Sequence, residues 1–383
     1  MKIRYRFQIC GSVLFTALNA GLGFSSPAFA DFDVHPYIID LNSKKATDLG
    51  TLGGSNIVAS GINDAGQVVG WSTTTAGDTH AFITGPNGVG MADLGTLGGS
   101  RSEAFGINAT GQVVGWSTTT AGDTHAFITG PNGVGMTDIG TLGGRYSAAY
   151  GVNDAGRVAG ASTAVAGESD DIDSHAFTTG PNGIGMVDLT PMREAPGMSA
   201  RSINNAGQVV GQAFHAFITA PNGLNKIDID TLGFPDRSSS ASGINSTGQV
   251  VGEFPSEDRT GISHAFITGP NGTGMTDLGT LGGPFSEAYG INDAGQVVGR
   301  ADPAAAGVVH AFVTGPNGMG MTDLNSLASL QEGTVLYDAR GINNHGQVIA
   351  NGSFVPGIPE PETYAMLLAG LGLIGFKSYR KIA

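Results

Sequence analysis

Seven of the eight histidines recur in one local setting, which makes them the first candidates for chemistry. They begin the tripeptide His-Ala-Phe or its variant His-Pro-Tyr, at His35, His80, His125, His175, His215, His264 and His310. A histidine repeated at one ring position could line a channel and bind a metal ion. The ligands of one ion must, however, converge to within a few ångströms, and ring-related residues lie apart. We therefore expect each histidine to hydrogen-bond neighbouring backbone.

Acidic residues offer a second kind of site, for calcium. Asp64, Asp154 and Asp293 lie in Asn-Asp-Ala-Gly segments, which lack the ligand-dense pattern of a calcium loop and are better explained as turn formers. The acidic run that holds Asp170, Asp171 and Asp173 is the better local candidate, although such runs are more often solvated loops. We expect no resident cofactor, with calcium at this run as the open alternative.

One position varies while its surroundings repeat, a pattern typical of a binding face on a fixed scaffold. It follows Gly-Gln-Val-Val-Gly and is occupied in turn by Trp71, Trp116, Ala161, Gln212, Glu253, Arg300 and Asn351. The two tryptophans could stack on sugar rings or simply pack between repeats. We take Trp71, Trp116, Glu253 and Arg300 as the candidate ligand-binding residues.

No constellation for catalysis is present in the sequence. Catalysis needs a singular set of nucleophile, base and orienting group, whereas nearly every polar residue here is repeated. No G-x-S-x-G, H-E-x-x-H or Walker sequence occurs. We expect a non-enzymatic protein with no catalytic residues.

These residues belong to a repeat that predicts the fold. The segment GINDAGQVVG at 61–70 recurs in seven versions, spaced 41 to 51 residues apart, which indicates a repeat architecture. Each unit predicts four short strands. The first, 60–62, is followed by an Asn-Asp-Ala-Gly turn and a second strand ending at Trp71. The third is His80–Thr84, and Met91–Leu97 follows a Pro-Asn-Gly turn as the fourth.

The chain ends predict how the repeats are arranged. The segments 35–39 and 46–52 resemble the third and fourth strands of a unit, and the last Gly-Ile-Asn segment, 341–350, supplies the first two. A ring needs such complementary ends. We therefore predict an all-β, seven-bladed β-propeller of four-stranded antiparallel blades, closed by pairing of the N- and C-terminal hairpins. The alternative is a β-solenoid, which would need polar capping units at its ends.

The predicted domains are a signal peptide at 1–30, the repeat body at 31–354, a Pro-rich linker at 355–362, and a short apolar helix with a basic tail at 363–383. The first segment has basic residues, an apolar stretch and Ala28-Phe29-Ala30, the order of a secretory signal. The last apolar run is shorter than the ~20 residues of a membrane span. The net charge of −14 disfavours nucleic acid as a partner.

Two family resemblances follow from these motifs. Pro359-Glu360-Pro361, the Gly-rich apolar run and the terminal Arg380-Lys381 resemble the PEP-CTERM sorting signal. That resemblance implies Pro359, Glu360 and Pro361 as recognition residues for an exosortase of Gram-negative bacteria that make exopolysaccharide, with membrane attachment through the C-terminal helix before processing. The His-Ala-Phe, Gly-Ile-Asn and Asp-Leu-Gly-Thr-Leu motifs over 31–354 resemble HAF repeats, which bring no activity with them.

Together these features predict a protein exported through the inner membrane, held there transiently, and then located in the outer envelope or extracellular matrix. The leading function is a non-enzymatic component of an exopolysaccharide or biofilm matrix, with polysaccharide as a partner. One alternative is a specific carbohydrate- or protein-binding propeller that uses the variable loops. The other is a hydrolase with a site at the ring mouth.

Overall fold

The computed structural model describes residues 34–164, 174–190, 197–229, 238–255, 262–304 and 308–354. Within these ranges the chain forms strands and short 3-10 turns only, so the predicted all-β class is confirmed. None of the described segments is a helix of the length and apolar character that a membrane crossing requires. The predicted signal peptide, Pro-rich linker and C-terminal helix lie outside the described residues.

The described strands are, in chain order, β1 (Val34–Asp40), β2 (Lys45–Asp48), β3 (Gly53–Ile62), β4 (Val68–Thr74), β5 (Thr79–Thr84), β6 (Met91–Asp93), β7 (Gly98–Ile107), β8 (Val113–Thr119), β9 (Thr124–Thr129), β10 (Met136–Gly140), β11 (Ser147–Val152), β12 (Val158–Thr163), β13 (Ser174–Thr179), β14 (Met186–Asp188), β15 (Ser199–Ile203), β16 (Val209–Gln212), β17 (Ala216–Ile218), β18 (Ile227–Asp228), β19 (Ser240–Ile244), β20 (Val250–Pro255), β21 (Ser263–Thr268), β22 (Met275–Asp277), β23 (Gly282–Ile291), β24 (Val297–Pro303), β25 (His310–Val313), β26 (Thr322–Asp323), β27 (Thr334–Ile342) and β28 (Gln347–Phe354). The 3-10 turns are Pro86–Gly88, Pro131–Gly133, Pro181–Gly183, Pro270–Gly272, Pro316–Gly318 and Leu324–Ser326.

These strands form five sheets of four strands and one of eight. The four-stranded sheets have the orders β2-β1-β28-β27, β11-β12-β13-β14, β15-β16-β17-β18, β19-β20-β21-β22 and β23-β24-β25-β26. The eight-stranded sheet consists of β3–β6 and β7–β10, which are joined by a single parallel residue pair, Thr79 with Arg101. All other pairings between the named strands are antiparallel.

The first and last described strands meet in one sheet. Strand β1 pairs with β28 from Val34 opposite Ser353 to Asp40 opposite Gln347. Antiparallel pairing of β1 with β2 and of β28 with β27 completes the four strands. The pairing that the complementary ends predicted is therefore present.

The outer strand of each sheet is shorter than predicted, and the inner strand is longer. Strand β6 ends at Asp93 instead of continuing to Leu97, because Asp93 Oδ1 accepts the N–H of Gly95 at 2.7 Å and Gly95 adopts a φ of +71°. Such an Asx turn takes the backbone out of the ladder. The inner strand β3, in contrast, begins at Gly53 rather than near Ser60.

The core lies between neighbouring sheets. The phenylalanines of the His-Ala-Phe segments are fully buried, at Phe82, Phe127, Phe177, Phe217, Phe266 and Phe312. Phe82, for example, packs in one cluster with Ile38 and Ile349 of the sheet that joins the chain ends. Each sheet therefore buries its apolar residues against the next sheet, the main source of stability for a stack of repeats.

A closed cycle of seven asparagines links the sheets around a common centre. In each Gly-Ile-Asn segment or its equivalent, asparagine Nδ2 donates to the backbone oxygen of the next such asparagine, at 3.0–3.2 Å. The order is Asn63, Asn108, Asn153, Asn204, Asn245, Asn292, Asn343 and back to Asn63. All seven are at most 6% exposed. We call this set the asparagine ring.

Two opposite faces follow from the antiparallel strands, because alternate connections lie at opposite strand ends. The turn face carries the Asn-Asp-Ala-Gly and Pro-Asn-Gly turns, which bond to each other, as in the donation from Gly88 N–H to Gly66 O at 2.9 Å. The loop face carries the connection after the second strand, 75–78 in the first repeat, and the link from one sheet to the next. Strand β1 begins on the loop face and strand β28 ends there, since Val34 pairs with Ser353.

Replacing one member of the asparagine ring tests its contribution to stability. Asn108→Ala removes the donation to Asn153 O and the acceptor for Gln112 N–H, leaving buried polar groups without partners. We expect a loss of about 1–3 kcal/mol in the free energy of unfolding, measured by urea titration of the full chain. The control is Asn56→Ala at an exposed position, which should change stability by less than about 0.5 kcal/mol. Equal effects of the two substitutions would contradict a stabilising role for the ring.

Candidate functional site

The inner strand of every sheet carries a β-bulge at the same repeat position. The pairing register shifts between Ala59 and Gly61 in β3, so two residues oppose one on β4. The same shift occurs in each inner strand. A bulge leaves the extra residue out of the ladder and redirects its side chain. The seven residues so displaced, the bulge residues, are Ser60, Phe105, Tyr150, Arg201, Ser242, Tyr289 and Arg340.

The glycine after the bulge is required by close approach of the inner strands. A Cβ added to Gly61 would lie 2.7 Å from the backbone oxygen of Phe105 in the next sheet, and one added to Gly106 would lie 2.8 Å from that of Tyr150. These distances are shorter than van der Waals contact. The small residue therefore lets neighbouring inner strands pack side by side, which brings the bulge residues together.

The bulge residues surround a cavity of about 310 Å³ between the inner strands, on the loop-face side of the asparagine ring. Its lining comprises the seven bulge residues and the two residues that follow each of them. We call it the loop-face cavity. Five of the seven bulge residues are aromatic or arginine, and the remaining two, Ser60 and Ser242, are small. The cavity therefore combines flat apolar surfaces with cationic groups, the composition of a ligand site rather than of a packed core.

Phe105, Tyr150 and Arg201 form a continuous wall of this cavity. The ring centroids of Phe105 and Tyr150 are 5.4 Å apart, within the range of favourable aromatic pairs. The guanidinium of Arg201 lies 5.4 Å from the centroid of Tyr150, a cation–π distance. Its Nε also donates to Ser199 Oγ at 3.2 Å, which helps to hold the stack.

On the other side, Tyr289 lies near two guanidinium groups, those of Arg300 at 5.8 Å and Arg340 at 4.6 Å from its ring centroid. Arg300 donates through Nε and one terminal nitrogen to Glu287 Oε2 at 3.0 and 2.7 Å, and Tyr289 donates its hydroxyl to the same oxygen at 2.8 Å. Arg340 contacts Asp338 Oδ2 at 2.9 Å. Each guanidinium is thus fixed by a carboxylate.

Burial and nearby charges shift the pKa values of several groups on this face, among them two tyrosines and one glutamate. Burial raises the pKa of Tyr289, and the nearby Glu287 carboxylate raises it further, so the phenol stays protonated and able to donate. Burial, with the charge of Asp338, raises the pKa of Tyr337 to about 12. Burial likewise raises the pKa of Glu253, with repulsion from Glu287 as the second cause. The attraction of Arg300 and Arg201 opposes that rise.

The four residues predicted to bind ligand lie on the second strands, one strand outward from the cavity lining. Trp71 pairs with Val58, Trp116 with Glu103, Glu253 with Ser240 and Arg300 with Glu287. All four are partly exposed. Trp116 has the guanidinium of Arg101 at 5.9 Å from its ring centroid. None of the four is among the residues that line the loop-face cavity, and their ligand role stays a prediction.

The position that Trp71 occupies in the first repeat is buried in two other sheets. In one of them its residue has a structural role. Asn351 is 1% exposed and forms hydrogen bonds with both the N–H and the carbonyl of Ala59 in the next sheet. It also donates to Asp338 Oδ1 at 2.8 Å. Ala161 is buried as well. Variation at this position therefore does not always indicate a binding surface.

The turn face has a second central cavity, of about 260 Å³, lined by the asparagine ring and the residues beside it. Asp64, Asp154 and Asp293 lie here, and their carboxylates connect neighbouring turns. Asp64 Oδ1 accepts the N–H of Asn344 at 2.9 Å, and Asp154 Oδ1 accepts that of Ala109 at 2.9 Å. This supports the turn interpretation. The described part of the chain holds no cluster of three or more potential metal ligands, and Asp170, Asp171 and Asp173 lie outside it.

The repeated histidines contact the side chain of an aspartate, a partner that the sequence analysis did not predict. In six of the seven, Nδ1 lies 2.7–2.9 Å from Oδ2 of the aspartate thirteen residues later. His215 and Asp228 are 3.9 Å apart. Each pair joins the third and fourth strands of one sheet, and neither central cavity includes any of these histidines in its lining. Asp93, for example, is paired with Phe82 in the ladder, two residues from His80 on the same face of the sheet, so its carboxylate reaches the imidazole.

The bulge residues were missed by the sequence analysis, although a signal existed. They occupy the position before Gly-Ile-Asn or its equivalents Gly-Val-Asn and Ser-Ile-Asn, where Ser, Phe, Tyr and Arg replace one another after a constant Ala. Variation in both size and charge at one position of a constant segment is the pattern that we used for Trp71 and its equivalents. It went unused here because a simple two-residue alternation gives no sign of a bulge.

Comparison with known proteins identifies a sorting motif in the sequence and a similarity of fold to solved structures. Residues 357–381 match the PEP-CTERM protein-sorting motif, which includes the predicted Pro359, Glu360 and Pro361 outside the described residues. The motif is a recognition signal for exosortase processing and marks the chain as exported and surface-sorted in a Gram-negative bacterium. No curated protein matches the chain at a significant level.

Solved structures that resemble the chain share little sequence with it. Oligogalacturonate lyase from Vibrio parahaemolyticus aligns with a TM-score of 0.50 and 10% identity, over 86% of this chain and 99% of that one. The β-propeller domain of the Trilobed protease from Pyrococcus furiosus gives 0.49 and 12%, over 75% and 85%. TolB from Acinetobacter baumannii gives 0.45 and 9%, over 74% and 63%. At these identities the likeness concerns the fold alone, and the second of these structures is itself described as a β-propeller domain.

The raised pKa of Glu253 predicts a pH-dependent cost to stability. A folded-state pKa above the unfolded value means that the unfolded chain loses this proton first, so stability falls as pH rises from the ordinary value of 4.5 through the folded pKa. Glu253→Gln removes the charge, so we expect the variant to be more stable than the parent at neutral pH. The difference should shrink below about pH 4, measured as unfolding free energy against pH.

The matched control is Glu332→Gln, at an exposed carboxylate. It should show no pH-dependent difference from the parent. A Glu253→Gln variant that matches the parent at neutral pH, or that differs most in acid, would contradict the assigned burial effect.

Proposed function

We propose that the chain is a seven-bladed propeller displayed at the bacterial surface, where it binds polysaccharide through its loop face without processing it. The blade count rests on the asparagine ring, whose seven members close on themselves. It also rests on the eight-stranded sheet, which divides at a single residue pair into two units of four strands. With the sheet shared by the chain ends, each Gly-Ile-Asn segment then belongs to one blade.

The observation that carries the binding function is the convergence of the seven bulge residues on one cavity. A pyranose ring presents C–H groups on its faces and hydroxyls at its edge. Aromatic rings such as Phe105 and Tyr150 suit the first, while arginine and carboxylate groups suit the second. Bulges bend a strand and increase its twist, and they are frequent beside active sites, where they redirect side chains.

The geometry favours binding over catalysis, because most charged groups on this face are tied to one another. Glu287 accepts from Arg300 and Tyr289, and Asp338 accepts from Arg340 and Asn351. A general acid needs a raised pKa and a free path to substrate, and burial raises the pKa of both Glu253 and Glu103. A hydrolase at the ring mouth that uses Glu253 with Glu287 is the second candidate, since a pair of carboxylates is the usual catalytic set for glycoside cleavage.

The sorting motif gives the proposed route to the surface. An exosortase would recognise Pro359, Glu360 and Pro361 while the C-terminal helix holds the chain at the membrane. The processed protein would then reside in the outer envelope or in an exopolysaccharide or biofilm matrix. A surface protein with an aromatic cavity and no cysteine after Cys10 suits that environment, because it needs neither a disulfide nor a thiol to persist there.

Polysaccharide binding is tested with the protein purified from an exporting host. Neutral and acidic bacterial polysaccharides are titrated against the parent, Phe105→Ala and Trp116→Ala. We expect Phe105→Ala to weaken binding by about tenfold, equivalent to about 1.4 kcal/mol, and Trp116→Ala to have a smaller effect. The control is Val134→Ala on the turn face, at a side chain 71% exposed, which should bind as the parent does. Shortening of the polymer during the titration, lost in Glu253→Gln, would instead support the hydrolase.

Processing of the C-terminus is tested by Pro359→Ala in an exosortase-bearing host. We expect the variant to keep its C-terminal segment and to accumulate in the membrane fraction, because the recognition tripeptide is altered. The mass of the C-terminal peptide is the measurement, with Ser353→Ala upstream of the motif as the control. Normal processing of the Pro359→Ala chain would contradict the proposed recognition.

A further inference from the structure

Arg201 differs from the other arginines around the loop-face cavity. Arg101, Arg300 and Arg340 each have a carboxylate partner, at 3.9, 2.7 and 2.9 Å. Within the described residues Arg201 forms no ion pair, and its terminal amino groups have no hydrogen-bond acceptor. A guanidinium presents a planar fork of donors that matches a carboxylate. Arg201 is therefore the cavity arginine with donors available for a ligand.

Its position is fixed by contacts that leave this fork open. The guanidinium stacks near Tyr150, and only Nε is used, toward Ser199 Oγ. A side chain held in this way loses less entropy on binding than a freely rotating arginine. Phe105 continues the same wall on the far side of Tyr150, so a flat apolar surface lies beside the cation.

We propose that Arg201 is the carboxylate-binding residue of an acidic-sugar subsite in the loop-face cavity, where the sugar ring packs on Phe105. The inference rests on the proposed polysaccharide function and specifies its ligand class, a polyuronate. A uronic acid has both required parts, a pyranose face for the aromatic ring and one planar carboxylate for the guanidinium. A neutral sugar would leave the donors of Arg201 without a charged partner.

The acidic character of the whole chain does not prevent this contact. At physiological ionic strength, exposed charges more than about 8 Å apart are largely screened, so the groups close to Arg201 determine the local field. Among these, Glu253 attracts Arg201 and would compete with a bound carboxylate. Removal of the Glu253 charge should therefore strengthen polyuronate binding. Removal of a residue that contacts the ligand would weaken it instead.

The test compares alginate oligosaccharides with the same oligosaccharides after reduction of their carboxyl groups, on protein purified from the exporting host. We expect the parent to prefer alginate by about tenfold or more. Arg201→Met should abolish that preference while binding of the reduced sugar stays within about twofold. Glu253→Gln should increase the affinity for alginate alone. Thermal unfolding of Arg201→Met at the same temperature as the parent, and of Glu253→Gln at no lower temperature, shows that the fold is intact.

Arg145→Met is the charge-matched control, since it removes one positive charge from an exposed ion pair with Asp123 elsewhere on the chain. It should leave the preference for alginate intact. Equal affinity of the parent for both sugars, or equal losses for both in Arg201→Met, would overturn the acidic-sugar subsite while polysaccharide binding itself stands. Failure of the parent to bind any polysaccharide would overturn the proposed function, and the subsite with it.

Discussion

The asparagine ring is the interaction on which the arrangement of this protein depends. Each member uses Oδ1 to close its own turn and Nδ2 to reach the next sheet, as Asn63 does toward Gln67 and Asn108. One short side chain therefore forms both a hydrogen bond within its own turn and a hydrogen bond to the next sheet. Because every member is buried, an unpaired one would leave polar groups without water. The cycle fixes how close the inner strands come, and that spacing sets where the bulge residues meet.

Much of the architecture could be predicted from the sequence because the repeat exposes it. The Gly-Ile-Asn and His-Ala-Phe segments gave the strands and their order, and the incomplete units at 35–52 and 341–350 gave the pairing of the ends. Prediction of strand ends was weaker where a hydrogen bond from one polar side chain determines the end of the strand. Asp93 ends its strand by accepting the N–H of Gly95, and the carboxylate of the same residue takes the hydrogen bond of His80. The sequence shows these residues but not their proximity.

The sequence analysis found residues near the candidate site but missed the bulge residues that line its cavity, and the reason is physical. Trp71, Trp116, Glu253 and Arg300 lie on regular strands, whose direction a two-residue alternation predicts. The bulge residues break that alternation, so their side chains cannot be placed by counting. Their environment also depends on neighbours in other sheets: Tyr289 lies near Arg340 of the next inner strand, and its phenol is held protonated by burial and by Glu287. Such effects arise only once the sheets are assembled.

The pairing of β1 with β28 has a consequence for the order of events during export. A chain that crosses the membrane from its N-terminus presents β1 first, but the partner strand is the last one, ending at Phe354. Contacts between such distant segments form late. The sorting motif begins at residue 357, directly after that strand. Completion of the fold and delivery of the sorting signal are thus nearly simultaneous, so a chain that stalls before its end can neither close nor be sorted.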